Sequence, residues 1–537
     1  MKINEIFRYA RPYSSKLEFI DDLPNFFFAT DLLGSRKTLL DAGINSPAIL
    51  KAQDGDRVPV ILIRSSAHKA GSEDTPWQDL FRPDFGHIRY FGDNKSPKKS
   101  PERAAGNALL LSQFKLHHST IKEERLHACP ILAFRAVSYS DFSPFIRLSS
   151  YQSHIEFAQI YEEKTKAMSA VTPTVRKLAD QITQGITEPK EQARALYNWV
   201  SREIRYVAIY LGDGGYVPHF SDSIIRNRYG DCKDKNTLLV ALLSAKGIEA
   251  SSALINSSSS YVLPNLVTLN TFNHVITYLP QWDMYVDATQ EFAPFGVLAF
   301  LELDKPTLLT ALGRVGRTQK PDAAQNKVST RVTMTVDPDG KIHGTSHTHY
   351  FGVEDLEARP NYEGIGSVRE KKIIDDHLGI FRQIGTGKFI PSDPYDLNYP
   401  FEVKTEFSIE AITNMPGYGA MGVPVGLSPG ELYIVSNQRS HEDFAPPYRC
   451  TSRTIEEHYF IEFPTNVKVT RVPQDITYKE GDIYYQSSYI QNGNRVEVKR
   501  SLYEQYPGAV CQAKELNQFN AFFPVFLSDM RGQIFYE

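Results

Sequence analysis

The sequence predicts a multidomain α+β protein. It expects a mixed, mostly β domain over residues 1–137, a central domain of helices and strands over 138–325, and a C-terminal β-sandwich over 326–537. Three observations carry this division. A chain of 537 residues exceeds one ordinary domain, and its 41% hydrophobic content is ample for several cores. Between Ser138 and Ser150 short strand patterns give way to helical periodicity. From about Asn326 onward the pattern becomes alternation punctuated by tight turns.

Charge and cysteine usage exclude several classes of partner. The formal net charge is -4, from 59 Lys and Arg against 63 Asp and Glu, so no overall bias toward nucleic acid or membrane exists. The balance is uneven along the chain. Residues 1–137 hold 20 Lys and Arg against 16 Asp and Glu, about +4, which leaves the remainder at about -8. The opening Met-Lys-Ile-Asn-Glu-Ile-Phe-Arg-Tyr-Ala contains no signal-peptide core, and no later window approaches the roughly 18 apolar residues of a membrane span. A cytoplasmic protein without a transmembrane segment is therefore expected. Cys129, Cys232, Cys450 and Cys511 are too dispersed for a zinc cluster and too few for a disulfide scaffold. Cys450 and Cys511 can pair in an oxidising compartment, which the missing export signal argues against. No cofactor is expected.

The first region carries turn signals such as Asp54-Gly-Asp56 and Asp84-Phe-Gly86. Asp84 to Lys95 reads as an aromatic strand, followed by a basic loop from Ser96 to Arg103. Arg89, Lys95, Lys98 and Lys99 are candidates for holding a phosphate backbone. A solvated surface loop explains the same residues.

The central region opens with Arg147 to Tyr161, a helical run for which Ser149 or Ser150 is the expected cap. Further helices are predicted at about 172–185 and 188–203, the second with Pro189 in its first turn. The loop Leu211 to Phe220 is glycine-rich but matches neither a P-loop nor a dinucleotide fingerprint. It serves either as a connector or as the substrate side of a cleft. In the second case Gly214, Gly215, Tyr216, His219 and Asp231 are the candidate substrate contacts.

The sharpest stretch is Tyr229-Gly-Asp-Cys232, which delivers a cysteine to the first turn of a helix. Leu238, Leu239, Leu242 and Leu243 follow at helical spacing, and Gly247 marks the stop. A thiol there sits in the positive end of the helix dipole, which favours the nucleophilic thiolate. Downstream, Asn273 to Leu279 and Met284 to Thr289 read as strands joined by Pro280 to Asp283, hence an antiparallel hairpin. That pairing brings His274 and Asp287 to the same end. A cysteine nucleophile needs an imidazole to move its proton, and the imidazole needs an acceptor to fix its tautomer. Cys232, His274 and Asp287 supply these three types in order.

On these residues rests a resemblance. From about Ser138 to Lys320 the chain resembles the bacterial transglutaminase-like superfamily, in the branch usually fused behind a β-rich domain. The matching stretches are Ala195 to Val207, Gly214 to His219, Arg228 to Leu239, Phe272 to Val275 and Tyr285 to Thr289. The resemblance implies a papain-like fold with Cys232 as nucleophile, His274 as base and acid, and Asp287 as orienting carboxylate. The Cys232 backbone N–H is then a candidate oxyanion donor. The substrate implied is a peptide or protein. One departure stands out: most of the preceding β-domain of that branch is replaced by residues 1–137. Over about 5–135 the pattern Asp84-Phe-Gly-His-Ile-Arg-Tyr-Phe-Gly-Asp-Asn-Lys95, followed by Gly106-Asn107, resembles the N-terminal recognition domain of AspBHI-type restriction endonucleases. That resemblance implies binding of duplex DNA without cleavage, since no spaced acidic and lysine nuclease signature follows.

The C-terminal region has turns at Val336 to Gly340, Lys479 to Asp482 and Gln491 to Asn494. Strands over Val328 to Val336, Tyr484 to Ile490 and Val496 to Leu502 fit a sandwich. His343, His347 and His349 fall on one strand face, but no carboxylate or cysteine completes a metal site at readable spacing, so no metal is assigned. Two functions follow: a transglutaminase-like cysteine enzyme working through a thioester, by hydrolysis or acyl transfer, or a silent scaffold of that fold carrying a DNA-binding module.

Overall fold

The structure is a computed structural model that describes residues 115–119, 137–138, 141, 145–149, 151–208, 217–268, 271–415, 417–437 and 447–537. Arg89, Lys95, Lys98 and Lys99, and the loop residues Gly214, Gly215 and Tyr216, lie outside the described residues. The chain divides into two compact units, one containing Val137–Thr289 and Lys305–Thr318, the other Gln290–Asp304 and Gln319–Glu537.

In the first unit, β1 (Lys115–Ser119) pairs antiparallel with β2 (Phe145–Ser149). Helices α1 (His154–Thr165), α2 (Pro173–Ile182) and α3 (Pro189–Glu203) follow. Helix α1 begins later than the sequence analysis expects. Ser149 closes strand β2, and the cap is Ser153, whose Oγ accepts from the Glu156 amide at 3.1 Å. A serine is an equally good cap at either position, so tertiary pairing of 145–149 decided the boundary. The prolines opening α2 and α3 stand in their first turns, where a missing N–H costs nothing.

A two-residue strand β3 (Arg205–Tyr206) lies parallel to β4 (Tyr229–Gly230), with α4 (Ser221–Asn227) between them. Helix α5 (Cys232–Ala245) is next, then a five-stranded antiparallel sheet in the order β7-β6-β5-β8-β9. Its strands are β5 (Ser251–Ile255), β6 (His274–Leu279), β7 (Met284–Val286), β8 (Pro306–Leu309) and β9 (Arg314–Arg317). Helix α5 packs against α2, α3, α4 and strands β5 and β6. Ten of its fourteen residues are consequently buried, polar ones included.

The second unit is strand-rich. Its strands are β10 (Lys327–Val336), β11 (Ile342–Phe351), β12 (Gly385–Pro391), β13 (Phe401–Ile409), β14 (Gly419–Met421), β15 (Tyr448–Arg449), β16 (Arg453–Glu462), β17 (Val469–Arg471), β18 (Ile476–Glu480), β19 (Ile483–Asn492), β20 (Arg495–Glu504), β21 (Val510–Cys511) and β22 (Ile534–Tyr536). Helices α6 (Val353–Ala358), α7 (Ser367–Ile380), α8 (Glu431–Ser436) and α9 (Ala513–Met530) complete it. Eight strands form one sheet in the order β12-β13-β11-β10-β16-β20-β19-β18. Where the sequence predicts two packed sheets of a sandwich, helices and a small three-stranded sheet together cover the buried face. Ile374 and Leu378 of α7, with the small sheet β14-β22-β17, pack on Val332, Met334, Tyr459 and Val498. Leu432 and Val435 of α8, with Phe522 and Phe526 of α9, pack on Ile455, Tyr485 and Leu502. Alternation reports that one strand face is buried; it does not report what buries it.

Cys450 and Cys511 form a disulfide, with Cα atoms 5.7 Å apart, where the sequence reading argues against the pairing. The β15–β21 ladder, which sets Tyr448 opposite Cys511, brings the two cysteines together.

Candidate active site

Helix α5 is held at its start by a capping box. The Asp231 carboxylate accepts from the amides of Lys233 at 3.0 Å and Asp234 at 3.3 Å, while Asp234 accepts from the Asp231 amide at 3.3 Å. This arrangement satisfies helix amides that have no partner of their own and sets negative charge at the positive end of the dipole. Asp231 also pairs with the Lys233 ammonium and is only 2% exposed. Its described contacts therefore tie down the first turn of α5. Gly230 makes the box possible: a Cβ there would lie 2.5 Å from Asp234 Cβ, inside any real contact distance.

His219 reaches the same turn. Its amide donates to Asp234 Oδ1 at 2.7 Å, and its Nδ1 lies 3.1 Å from Asp234 Oδ2. The imidazole is 49% exposed, so one side remains open to solvent.

Cys232 is the first residue of α5, half-buried against the cluster formed by Tyr151, Phe157, Tyr161 and Val275, with Phe272 beside it. Burial, and then the neighbouring Cys232 and Asp231 side chains, push the Tyr161 phenol up, so it remains a neutral O–H.

The β6–β7 hairpin turns through Pro280–Trp282, with Asp283 in the left-handed region at φ 46°. Thr277 pairs with Val286, so continuing the register sets Asp287 opposite Ile276. His274, two residues from Ile276, shares that face as a diagonal neighbour. The side chains meet: His274 Nε2 lies 3.0 Å from Asp287 Oδ2. With Nε2 so engaged, Nδ1 is the nitrogen left for Cys232, whose thiol is near enough to help raise the imidazole's pKa. Burial alone would lower the His274 pKa. The Asp287 carboxylate, by charge and by hydrogen bond, outweighs it and raises the imidazole well above its ordinary value.

Asp287 is fully buried and is itself held in place. Its Oδ1 accepts from the Thr289 amide at 2.8 Å and its Oδ2 from the Thr289 hydroxyl at 2.8 Å. Tyr197 of α3 donates to the Asp287 carbonyl at 3.2 Å. Lys235, 2% exposed, donates to the carbonyls of Ser201 and Ala288, each at 3.0 Å. One ammonium thus joins the end of α3 to the residue after Asp287. Asn236 similarly ties α5 to the sheet, donating to Ser252 at 2.7 Å and accepting from Thr277 at 2.8 Å.

Of the sequence-derived candidates, Cys232, His274 and Asp287 are brought together, and His219 and Asp231 converge on Asp234. Thr289, Lys235, Tyr197 and Asn236 were not singled out. The signal for Lys235 and Asn236 was available: both are polar within the helix that carries the leucine stripe, and a buried lysine demands partners.

A family model described as transglutaminase-like superfamily matches residues 176–255. That span includes Cys232 and ends before His274. A second, restriction endonuclease AspBHI N-terminal, matches residues 41–149. No curated protein matches. Among solved structures, the chain is similar to one from Parabacteroides distasonis titled a "putative protease". The TM-score is 0.51 at 13% identity, over 79% of this chain and 68% of that one, a likeness of fold.

Proposed function

We propose that the chain is a cysteine enzyme acting on peptide or protein amide bonds through a Cys232 thioester. One observation carries the reading: a single imidazole, His274, is held by a buried carboxylate and lies within electrostatic reach of a helix-start thiol. The transglutaminase-like match over the cysteine helix supports it.

The chemistry proceeds as follows. His274 takes the Cys232 proton, and the thiolate attacks the amide carbonyl. The Cys232 amide is available to the developing oxyanion, since the Asp231 carboxylate is spent on the next two amides. The tetrahedral species collapses with cleavage of the C–N bond, and the imidazolium gives its proton to the departing amine. Water or an amine then attacks the thioester, His274 takes the proton from that nucleophile, and the product acid or amide leaves as the thiol is restored. Asp287 keeps the imidazole aligned throughout.

The test uses the full chain and a peptide acyloxymethyl ketone that alkylates activated cysteines. Labelling at Cys232, lost in Cys232→Ala, is expected. Equal labelling of Cys232→Ala would sink the proposal.

A second reading is favoured by the match at residues 41–149: recognition of duplex DNA by the N-terminal region, with Arg89, Lys95, Lys98 and Lys99 on the phosphates. A gel shift that weakens with salt and is lost on neutralising Lys95, Lys98 and Lys99 is its expected signature. No shift at low salt removes it.

A further inference from the structure

The sequence alone leaves His343, His347 and His349 on one strand face without a carboxylate to complete a metal site. Folding supplies one from the next strand. In the β11–β13 ladder His349 stands opposite Glu402 and His347 opposite Lys404. The Glu402 carboxylate spans both rings: Oε2 lies 2.9 Å from His347 Nε2, and Oε1 lies 3.2 Å from His349 Nε2. The two imidazoles are adjacent, with centroids 4.2 Å apart. Their donor atoms and a carboxylate oxygen all lie within 4.8 Å of one another. His343 stays out of the group, paired with Asp337 at 2.8 Å.

We propose that His347, His349 and Glu402 form a site for a divalent transition-metal ion, zinc being the best match, on the solvent side of the eight-stranded sheet. The donor set decides the class. Two imidazoles and one carboxylate suit zinc and its neighbours, whereas calcium and magnesium take oxygen ligands. Donors around a tetrahedral zinc stand roughly 3.3 Å apart at ordinary bond lengths. The two N···O separations here are already close to that, so the ion enters with small side-chain adjustments. The scaffold is rigid: β11 is flanked by β10 and β13, and the Glu402 amide is further fixed by Ser392 Oγ at 3.0 Å. His347, His349 and Glu402 are between 36% and 39% exposed, so an ion reaches them without any opening of the fold. Three protein ligands leave a fourth position for water or for a donor from another molecule.

Lys404 and Arg331, both opposite His347, oppose the cation. Arg331 is drawn onto the Phe460 ring, 4.2 Å from its centroid. Lys404 is the neighbour that limits affinity.

The test is zinc titration of the full chain in a Cys232→Ala background, which removes the reactive thiol as a competing ligand. Calorimetry reads stoichiometry and affinity, and a thermal melt reads stabilisation by linkage. The expected result is one zinc per chain lost in His347→Gln/His349→Gln, at least tenfold weaker binding in Glu402→Gln, and tighter binding in Lys404→Gln. The melting temperature should rise with zinc in the background protein and stay flat in the double variant. Glutamine retains hydrogen-bonding groups at these surface positions, and a matching melt without zinc verifies the fold. No uptake by the background protein, or uptake unchanged in the double variant, overturns the proposal.

Discussion

At the scale of single residues, Asp287 controls the protonation of His274, and the consequence is a pH profile. The imidazole's pKa is raised in the folded chain above its ordinary 6.5. Any stability it contributes is therefore present below about pH 6.5 and is lost as pH rises through the higher folded value. An imidazolium beside Cys232 also favours the thiolate, so the alkaline limb of Cys232 alkylation should track His274 deprotonation. Replacing Asp287 by Asn removes the charge that outweighs burial. The limb should then move to lower pH, and turnover should fall on the order of 10²- to 10⁴-fold, the contribution of a positioned acid–base group. An alkylation profile that does not move would remove Asp287 from this role. Lys235 is a positioning residue by the same reasoning. Lys235→Met leaves the Ser201 and Ala288 carbonyls without their buried donor, at about 1–3 kcal/mol in a urea melt. It should also shift the alkylation limb part of the way toward that of Asp287→Asn, which a purely structural lysine would not do.

At the scale of elements, the start of α5 carries the site. Asp231→Ala should lower stability by about 0.5–2 kcal/mol, the usual worth of an N-cap, read from a denaturant melt. Gly230→Ala should do at least as much, because the new methyl collides with Asp234 and opens the capping box. Much of this element was legible in the sequence. Glycine before aspartate, a cysteine, then leucines at helical spacing describe a capped helix start, and Gly247, at φ 73°, ends the helix as expected. The hairpin was legible because Pro280 to Asp283 is too short for anything but antiparallel return. What escaped was tertiary. A one-dimensional pattern cannot say that helices and a sheet pack around α5 and bury its polar residues with its leucines. Glu402 lies 53 positions from His349, and only strand pairing makes them neighbours.

At the scale of the whole molecule, the Cys450–Cys511 bridge closes a segment with a sequence separation of 61. Loop-closure entropy assigns such a bridge about 4 kcal/mol. Cys511→Ser, or reduction, should therefore lower the stability of the strand-rich unit by about 2–4 kcal/mol, read by a melt with and without reductant. The bridge also belongs with an oxidising compartment, in tension with the cytoplasmic expectation. No helix among the described residues is long and apolar enough to cross a membrane.

The eight-stranded sheet holds one further consequence, in the order of its assembly. Among its described strands the one parallel contact joins β10 to β16, with Lys327 opposite Thr454. On one side lie β10, β11, β12 and β13, on the other β16, β18, β19 and β20, and the strands within each half pair antiparallel. The hairpins β10–β11, β12–β13, β18–β19 and β19–β20 can form from local contacts, whereas the seam must close a loop of more than a hundred residues. Folding of this unit should thus be limited by zipping the β10–β16 seam. Substitutions along the seam should therefore slow folding, read from the folding limb of a chevron.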